Sequence, residues 1–179
     1  MNLPNRLTML RIGMIPLFIA CFYLPIQGWN YIAAAIFVLA YLTDMIDGKY
    51  ARKHNMVTDF GKLMDPIADK LLTMSALVMI LFQGWISPLV VIIIVSRELF
   101  ISGFRLVAAS KGNVIAASWL GKVKTVSQFV AITLILLKNP IFGQWGIPLD
   151  QIAAYVSAGF TLWSGVDYIL KNKNVVSDR

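Results

Sequence analysis

The chain has 179 residues, 58% of them hydrophobic and only 14% charged, an apolar content well above that of soluble domains. Its net charge of +7 could suggest a nucleic-acid binder, but the Lys and Arg residues stand at the ends of apolar runs and form no patch, which excludes that class. The single Cys21 excludes an intrachain disulfide and a cysteine metal site.

Taken in chain order, apolar runs of membrane-spanning size predict six helices at roughly 7–26, 31–53, 60–83, 86–109, 114–137 and 147–170. The first run follows Arg6 and Arg11, as in a secretory signal, but it has no clear small-x-small cleavage site and is read as a retained helix. Breaks at Gln27 to Asn30, at Gln83 to Trp85 and from Asn139 to Pro148 separate the runs, with Trp85 and Trp145 at expected membrane interfaces. The fold expected is all-α: a polytopic membrane protein with six transmembrane helices in one bundle, a short N-terminal juxtamembrane segment, and one domain over 1–179.

An even number of spans puts both termini on one side. That side also receives Arg6, Arg52, Lys62, Arg105, Lys122 and Lys171, and nearly all the other basic residues, against Lys138 on the opposite side. By the positive-inside rule the termini face the cytoplasm across the cell membrane. Asp44, Asp47, Asp59, Asp65 and Asp69, five of the nine acidic residues, crowd at the same end of helices 2 and 3. A carboxylate at the centre of a span costs roughly 2.5–3.5 kcal/mol on insertion scales, so several together require compensating cations.

Asp44 and Asp47 are three residues apart, and Asp65 and Asp69 four, so each pair shares a helical face. The short connection predicts that helices 2 and 3 are antiparallel neighbours. Measured from Lys53 and Phe60, the two pairs lie about 8–14 Å inward and meet at one depth. Such a set of hard oxygen ligands favours Mg²⁺, Mn²⁺ or Ca²⁺ over Zn²⁺. Two ions about 3.5–4 Å apart suit displacement at a diphosphate. Gly48, Ala51 and Gly61 allow a nucleotide close to the backbone, and Arg52 reaches a phosphate oxygen.

Asp44-x-x-Asp47-Gly48-x-x-Ala51-Arg52, eight residues, then Gly61-x-x-x-Asp65-x-x-x-Asp69 resembles the complete motif of the CDP-alcohol phosphatidyltransferases. All eight specified positions are present at the family spacing. The resemblance implies that the four aspartates bind two divalent ions, Mg²⁺ or Mn²⁺, and that Asp69 is the general base. It also implies that the CDP-diacylglycerol nucleotide lies along helices 2 and 3, and that the protein is a homodimer in the lipid bilayer. Asn5, Thr8 and Arg11 are similar to the amino-terminal segment that helps cover the nucleotide in this family.

For the acceptor, Glu98, Ser102 and Arg105 fall at i, i+4 and i+7, a polar face on an otherwise apolar helix. Lys122 and Lys124 add positive charge on helix 5. An anionic acceptor explains this, because Arg offers a planar fork to phosphate and Lys a compact charge. Ser96 to Arg105 also resembles the corresponding stretch of phosphatidylglycerophosphate synthases, which implies glycerol 3-phosphate as the acceptor; Arg105, Lys122 and Arg97 are the candidates to hold its phosphate. Arg97 is staggered about 100° from Glu98 around the helix. Inositol, inositol phosphate or serine are the alternative acceptors, and a cation transporter is the alternative class, since intramembrane carboxylates also mark ion paths. An arginine beside the carboxylates serves a nucleotide diphosphate and has no use in a cation path. The competing structural readings are an Asp65-Pro66 helix cap, and salt bridges from the aspartates to Lys49, Arg52, Lys62 and Lys70. Asp59 is read as a residue that caps a helix or solvates the loop, and His54 as a loop residue near the surface.

Overall fold

A computed structural model describes residues 3–53, 59–112, 118–139 and 145–172; the side chains of 3–6, 44–53, 59–63, 65 and 66 lie outside that description. His54, the connections at 54–58 and 113–117, residues 140–144 of the 139–148 break and the basic residues Lys173 and Arg179 also lie outside it. The described residues form six helices, with no strand among them. They are α1 (Leu3–Cys21), α2 (Trp29–Lys53), α3 (Asp59–Phe82), α4 (Pro88–Ser110), α5 (Trp119–Leu136) and α6 (Leu149–Lys171). Each coincides with one of the six apolar runs. The chain divides into two compact units, Met1–Gln83 and Gly84–Arg179.

In the first unit α1 packs against both α2 and α3, while direct α2–α3 contact among the described residues is slight. The α2–α3 pair expected from the sequence is in direct contact among the described residues, and α1 packs on both of its members. The side chains give the reason. Phe18 of α1 is fully buried, with its ring 5.2 Å from Phe22 and 6.2 Å from Phe37 of α2. The buried positions of α2 and α3 include many small residues, Ala33, Ala34, Ala40, Ala68 and Ala76, which let the backbones approach. Residues 3–6 are helical and continuous with the rest of α1, whose second position is Pro4. Proline suits a first helical turn because the amide hydrogen it lacks would have no partner there.

In the second unit α6 packs against α4 and α5. Its buried face is Ala154, Ser157, Ala158, Thr161, Ser164, Gly165 and Tyr168, a three-and-four spacing that makes one continuous stripe. Ser87 caps α4 by accepting from the Leu89 amide at 3.3 Å, and Ser118 caps α5 by accepting from the Gly121 amide at 3.1 Å. At the end of α5 the Lys138 amide donates to the Ile135 carbonyl at 2.9 Å and the Asn139 amide to that of Leu134 at 3.1 Å. This is a Schellman closure with Lys138, at φ +56°, where glycine is usual.

Large apolar residues also cover the outward faces: Leu17, Val78, Ile92, Leu106, Val126 and Leu162 are all more than half exposed. Among the described residues α5, of 18 residues, is by itself long and apolar enough to cross a membrane.

Candidate functional site

The first unit carries the aspartates. With α2 ending at Lys53 and α3 beginning at Asp59, Asp44 and Asp47 lie about 14 and 9 Å from one helix end, and Asp65 and Asp69 about 9 and 15 Å from the other. Asp65 and Pro66 fall inside α3, a full turn and more beyond its start, so Asp65 is not the cap of this helix. Asp59 is the first residue of α3, at the helix end where a cap is expected. The side chains of Asp44, Asp47, Gly48, Ala51, Arg52, Gly61 and Asp65 lie outside the described residues. Asp69 is half-buried, next to the buried Ala68, and its backbone carbonyl accepts from the Thr73 hydroxyl at 3.2 Å. Among the described residues no three acidic, histidine or cysteine side chains cluster. Hard carboxylate oxygens presented from two helices nevertheless suit a divalent cation of the Mg²⁺ class by their chemistry.

On α1 Asn5 is helical, and Thr8 and Arg11, one turn apart, are both buried, with relative exposures of 0% and 1%. A fully buried guanidinium is tolerated only where negative charge balances it. The unit that holds Arg11 is the one that carries all four motif aspartates.

The second unit carries the residues expected to bind the acceptor. Arg105 is exposed at its tip, yet its Nε donates to the Tyr168 hydroxyl at 3.1 Å, and its guanidinium carbon stands 5.5 Å from the centre of that ring. Tyr168 is itself buried and meets Phe104 edge-on at 5.7 Å. The hydrogen bond ties the guanidinium to Tyr168 through Nε and does not use its two terminal nitrogens. Tyr168 was not among the residues that the sequence pointed to. A signal was available, since Ser157, Thr161, Ser164 and Tyr168 mark a polar stripe on α6 at helical spacing.

Lys122 and Lys124 separate. Two residues turn a helix by about 200°, so they occupy opposite faces of α5. Lys122 is exposed, whereas Lys124 is buried and pairs with Glu98 of α4. Arg97, despite its stagger, curls back so that Nη1 donates to Glu98 Oε1 at 3.3 Å. Its stem crosses α6 at Gly165, where a Cβ would stand 3.3 Å from Arg97 Cγ. Further along, Gln128 donates to the Thr161 hydroxyl at 3.1 Å, so polar contacts continue into the buried α5–α6 seam. The structure thus joins Arg97 to Glu98 and Lys124, sets Arg105 on Tyr168 two turns away along α4, and leaves Lys122 on the outer face of α5. A separate cleft of about 350 Å³, lined by Gly84, Trp85, Ile135, Lys138, Asp150 and Gln151, contains none of the sequence-derived site residues.

Comparison with known proteins agrees with the motif. The family model described as CDP-alcohol phosphatidyltransferase matches residues 1–163. A Bacillus subtilis protein named CDP-diacylglycerol–glycerol-3-phosphate 3-phosphatidyltransferase is 43% identical, over 96% of this chain and 95% of its own length. Its namesake from Escherichia coli K12 is 38% identical over 94% of this chain and 93% of its own length. With the eight motif positions on α2 and α3 and a family match that takes in every helix but the end of α6, this chain belongs to the CDP-alcohol phosphatidyltransferase family and is an enzyme of that class.

Proposed function

We propose that the protein transfers the phosphatidyl group of CDP-diacylglycerol to glycerol 3-phosphate, releasing CMP and forming phosphatidylglycerophosphate. Relatives at 43% and 38% identity carry names that state this reaction, over almost the whole chain. In the step itself an acceptor hydroxyl oxygen bonds to the phosphorus that bears the diacylglycerol, and the bond from that phosphorus to the CMP oxygen breaks. Asp69 takes the hydroxyl proton as general base. Asp44, Asp47, Asp65 and Asp69 would hold two divalent ions, Mg²⁺ or Mn²⁺, which when bound neutralise the diphosphate charge and stabilise the departing CMP. Asn5, Thr8, Asp47, Gly48, Ala51, Arg52 and Gly61 would bind the nucleotide.

The same reading makes the chain one catalytic domain with six spans in the cell membrane, both termini and the active end cytoplasmic, working as a homodimer. Its support is the apolar outer surface, the span-competent α5 and the segregation of basic residues from Lys138. The resemblance to the family supports the homodimer.

The observation that carries the acceptor is Arg105, braced on Tyr168 through Nε in a hydrogen bond that does not use its two terminal nitrogens. Those nitrogens suit a phosphate bidentately. Arg97 and Lys122 are proposed to add to the same anion's binding. A charge-assisted hydrogen bond is worth about 1.5–3 kcal/mol, so Arg105→Ala is expected to lower kcat/KM for glycerol 3-phosphate about ten- to a hundred-fold, with little change in CDP-diacylglycerol binding. The assay gives purified protein CDP-diacylglycerol, Mg²⁺ or Mn²⁺ and, in turn, glycerol 3-phosphate, inositol, inositol phosphate and serine, and identifies the lipid product. Preference of the wild type for a neutral acceptor, or unchanged glycerol 3-phosphate kinetics in Arg105→Ala, would overturn the acceptor assignment or its pocket.

A further inference from the structure

Glu98 is a carboxylate on which two cations from different helices converge. Its Oε1 accepts from Nζ of Lys124 on α5 and from Nη1 of Arg97, 3.3 Å away on its own helix. All three side chains are largely enclosed, with exposures of 5% for Lys124, 14% for Glu98 and 13% for Arg97. Long cationic side chains ordinarily reach for water; here Arg97 is folded inward over Gly165 instead. Its Nε is buried and has no hydrogen-bond partner. A buried N–H without an acceptor is costly, and a guanidinium in that condition is short of one oxygen.

We propose that Glu98 is a positioning residue for the acceptor. Anchored by Lys124, it fixes the Arg97 guanidinium in an inward pose from which the nitrogens not engaged by Glu98 meet the phosphate of the incoming anion. This rests on the glycerol 3-phosphate reading and adds to it a carboxylate that the anion itself would repel. A carboxylate beside a phosphate site is otherwise a disadvantage, and its presence is explained when its work is done on the arginine. Lys124 then acts through Glu98: it balances the buried carboxylate and ties α4 to α5 at the level where Arg97 is held.

A merely structural ion pair makes a different forecast. Were Glu98 present only to neutralise the buried Lys124, replacing both by uncharged residues of similar size would leave no stranded charge and would restore function. The experiment uses the full-length protein in detergent and compares wild type with Glu98→Gln, Lys124→Met, the Glu98→Gln/Lys124→Met pair, Arg97→Ala and Arg97→Ala/Glu98→Gln. For each, thermal stability, CDP-diacylglycerol affinity, and kcat and KM for glycerol 3-phosphate are measured.

The expected result is an acceptor KM raised about ten-fold in Glu98→Gln with donor affinity unchanged, and still raised in the neutral pair even where its thermal stability returns to that of wild type. Arg97→Ala raises KM as well, and adding Glu98→Gln to it has little further effect, because the carboxylate acts through the arginine. Recovery of the wild-type KM by the neutral pair, or full additivity of the Arg97 and Glu98 changes, would overturn the proposal. If Glu98→Gln alone is too unstable to purify, the acceptor KM of the neutral pair against that of wild type still decides it. Failure of the underlying acceptor reading shows separately, as wild-type protein that prefers an uncharged acceptor.

Discussion

Asp69→Asn is expected to retain measurable CDP-diacylglycerol binding while losing turnover by about 10²- to 10⁴-fold, the usual worth of a positioned general base. Asparagine keeps an oxygen with which to hold a cation but cannot accept the acceptor's proton at neutral pH. The half-buried position of Asp69 on α3, beside buried Ala68, confines the substitution to one functional group. Donor affinity is read by protection against thermal unfolding with CDP-diacylglycerol and Mg²⁺, and turnover by CMP release. Turnover near the wild-type level would assign the base to another residue.

Asp44→Asn, Asp47→Asn and Asp65→Asn are each expected to weaken metal and nucleotide binding together, by tenfold or more, since a loss of about 1.4 kcal/mol already gives that factor. The diphosphate of the donor would be held largely through the cations, so one cannot weaken without the other. Titration of the metal with and without CDP-diacylglycerol separates the two affinities, and raised metal concentration should recover part of the activity. Full activity of any one variant at ordinary metal concentration would count against a shared site. The contrast with Asp69→Asn, binding kept and turnover lost, distinguishes the roles of residues that the motif alone treats alike.

The number of helices and most of their bounds to within a few residues were legible in the sequence because an apolar run of membrane length bounded by Gly, Pro and Asn has few other uses, though α1 runs Leu3–Cys21 rather than 7–26. Gly28 and Gly84 do stand at positive φ, +82° and +71°, in the breaks where the chain turns. The family was legible too, since eight positions on two helices at fixed spacing carry a chemical demand that ordinary packing does not impose. Periodicity along one helix, by contrast, reports which residues share a face and not which helix that face meets. The sequence could therefore pair Asp44 with Asp47 but not foresee that α1 would pack on both α2 and α3.

The sequence by itself thus determined the helices, the aspartate motif and the polar face of α4, because each depends on local spacing. Only the tertiary structure decided which cations serve as partners of the protein and which remain exposed. Lys122 and Lys124 are alike as residues, but a rotation of about 200° around α5 exposes the first and buries the second against Glu98. Arg97 joined that carboxylate because a four-bond side chain can fold back through a stagger that its Cα position would seem to forbid. Arg105 found Tyr168, 63 residues away in the chain, because α4 and α6 pack together. The physical reason is common to all three: burial of a charge is settled by what faces it across a helix interface, and spacing along one chain segment does not specify that.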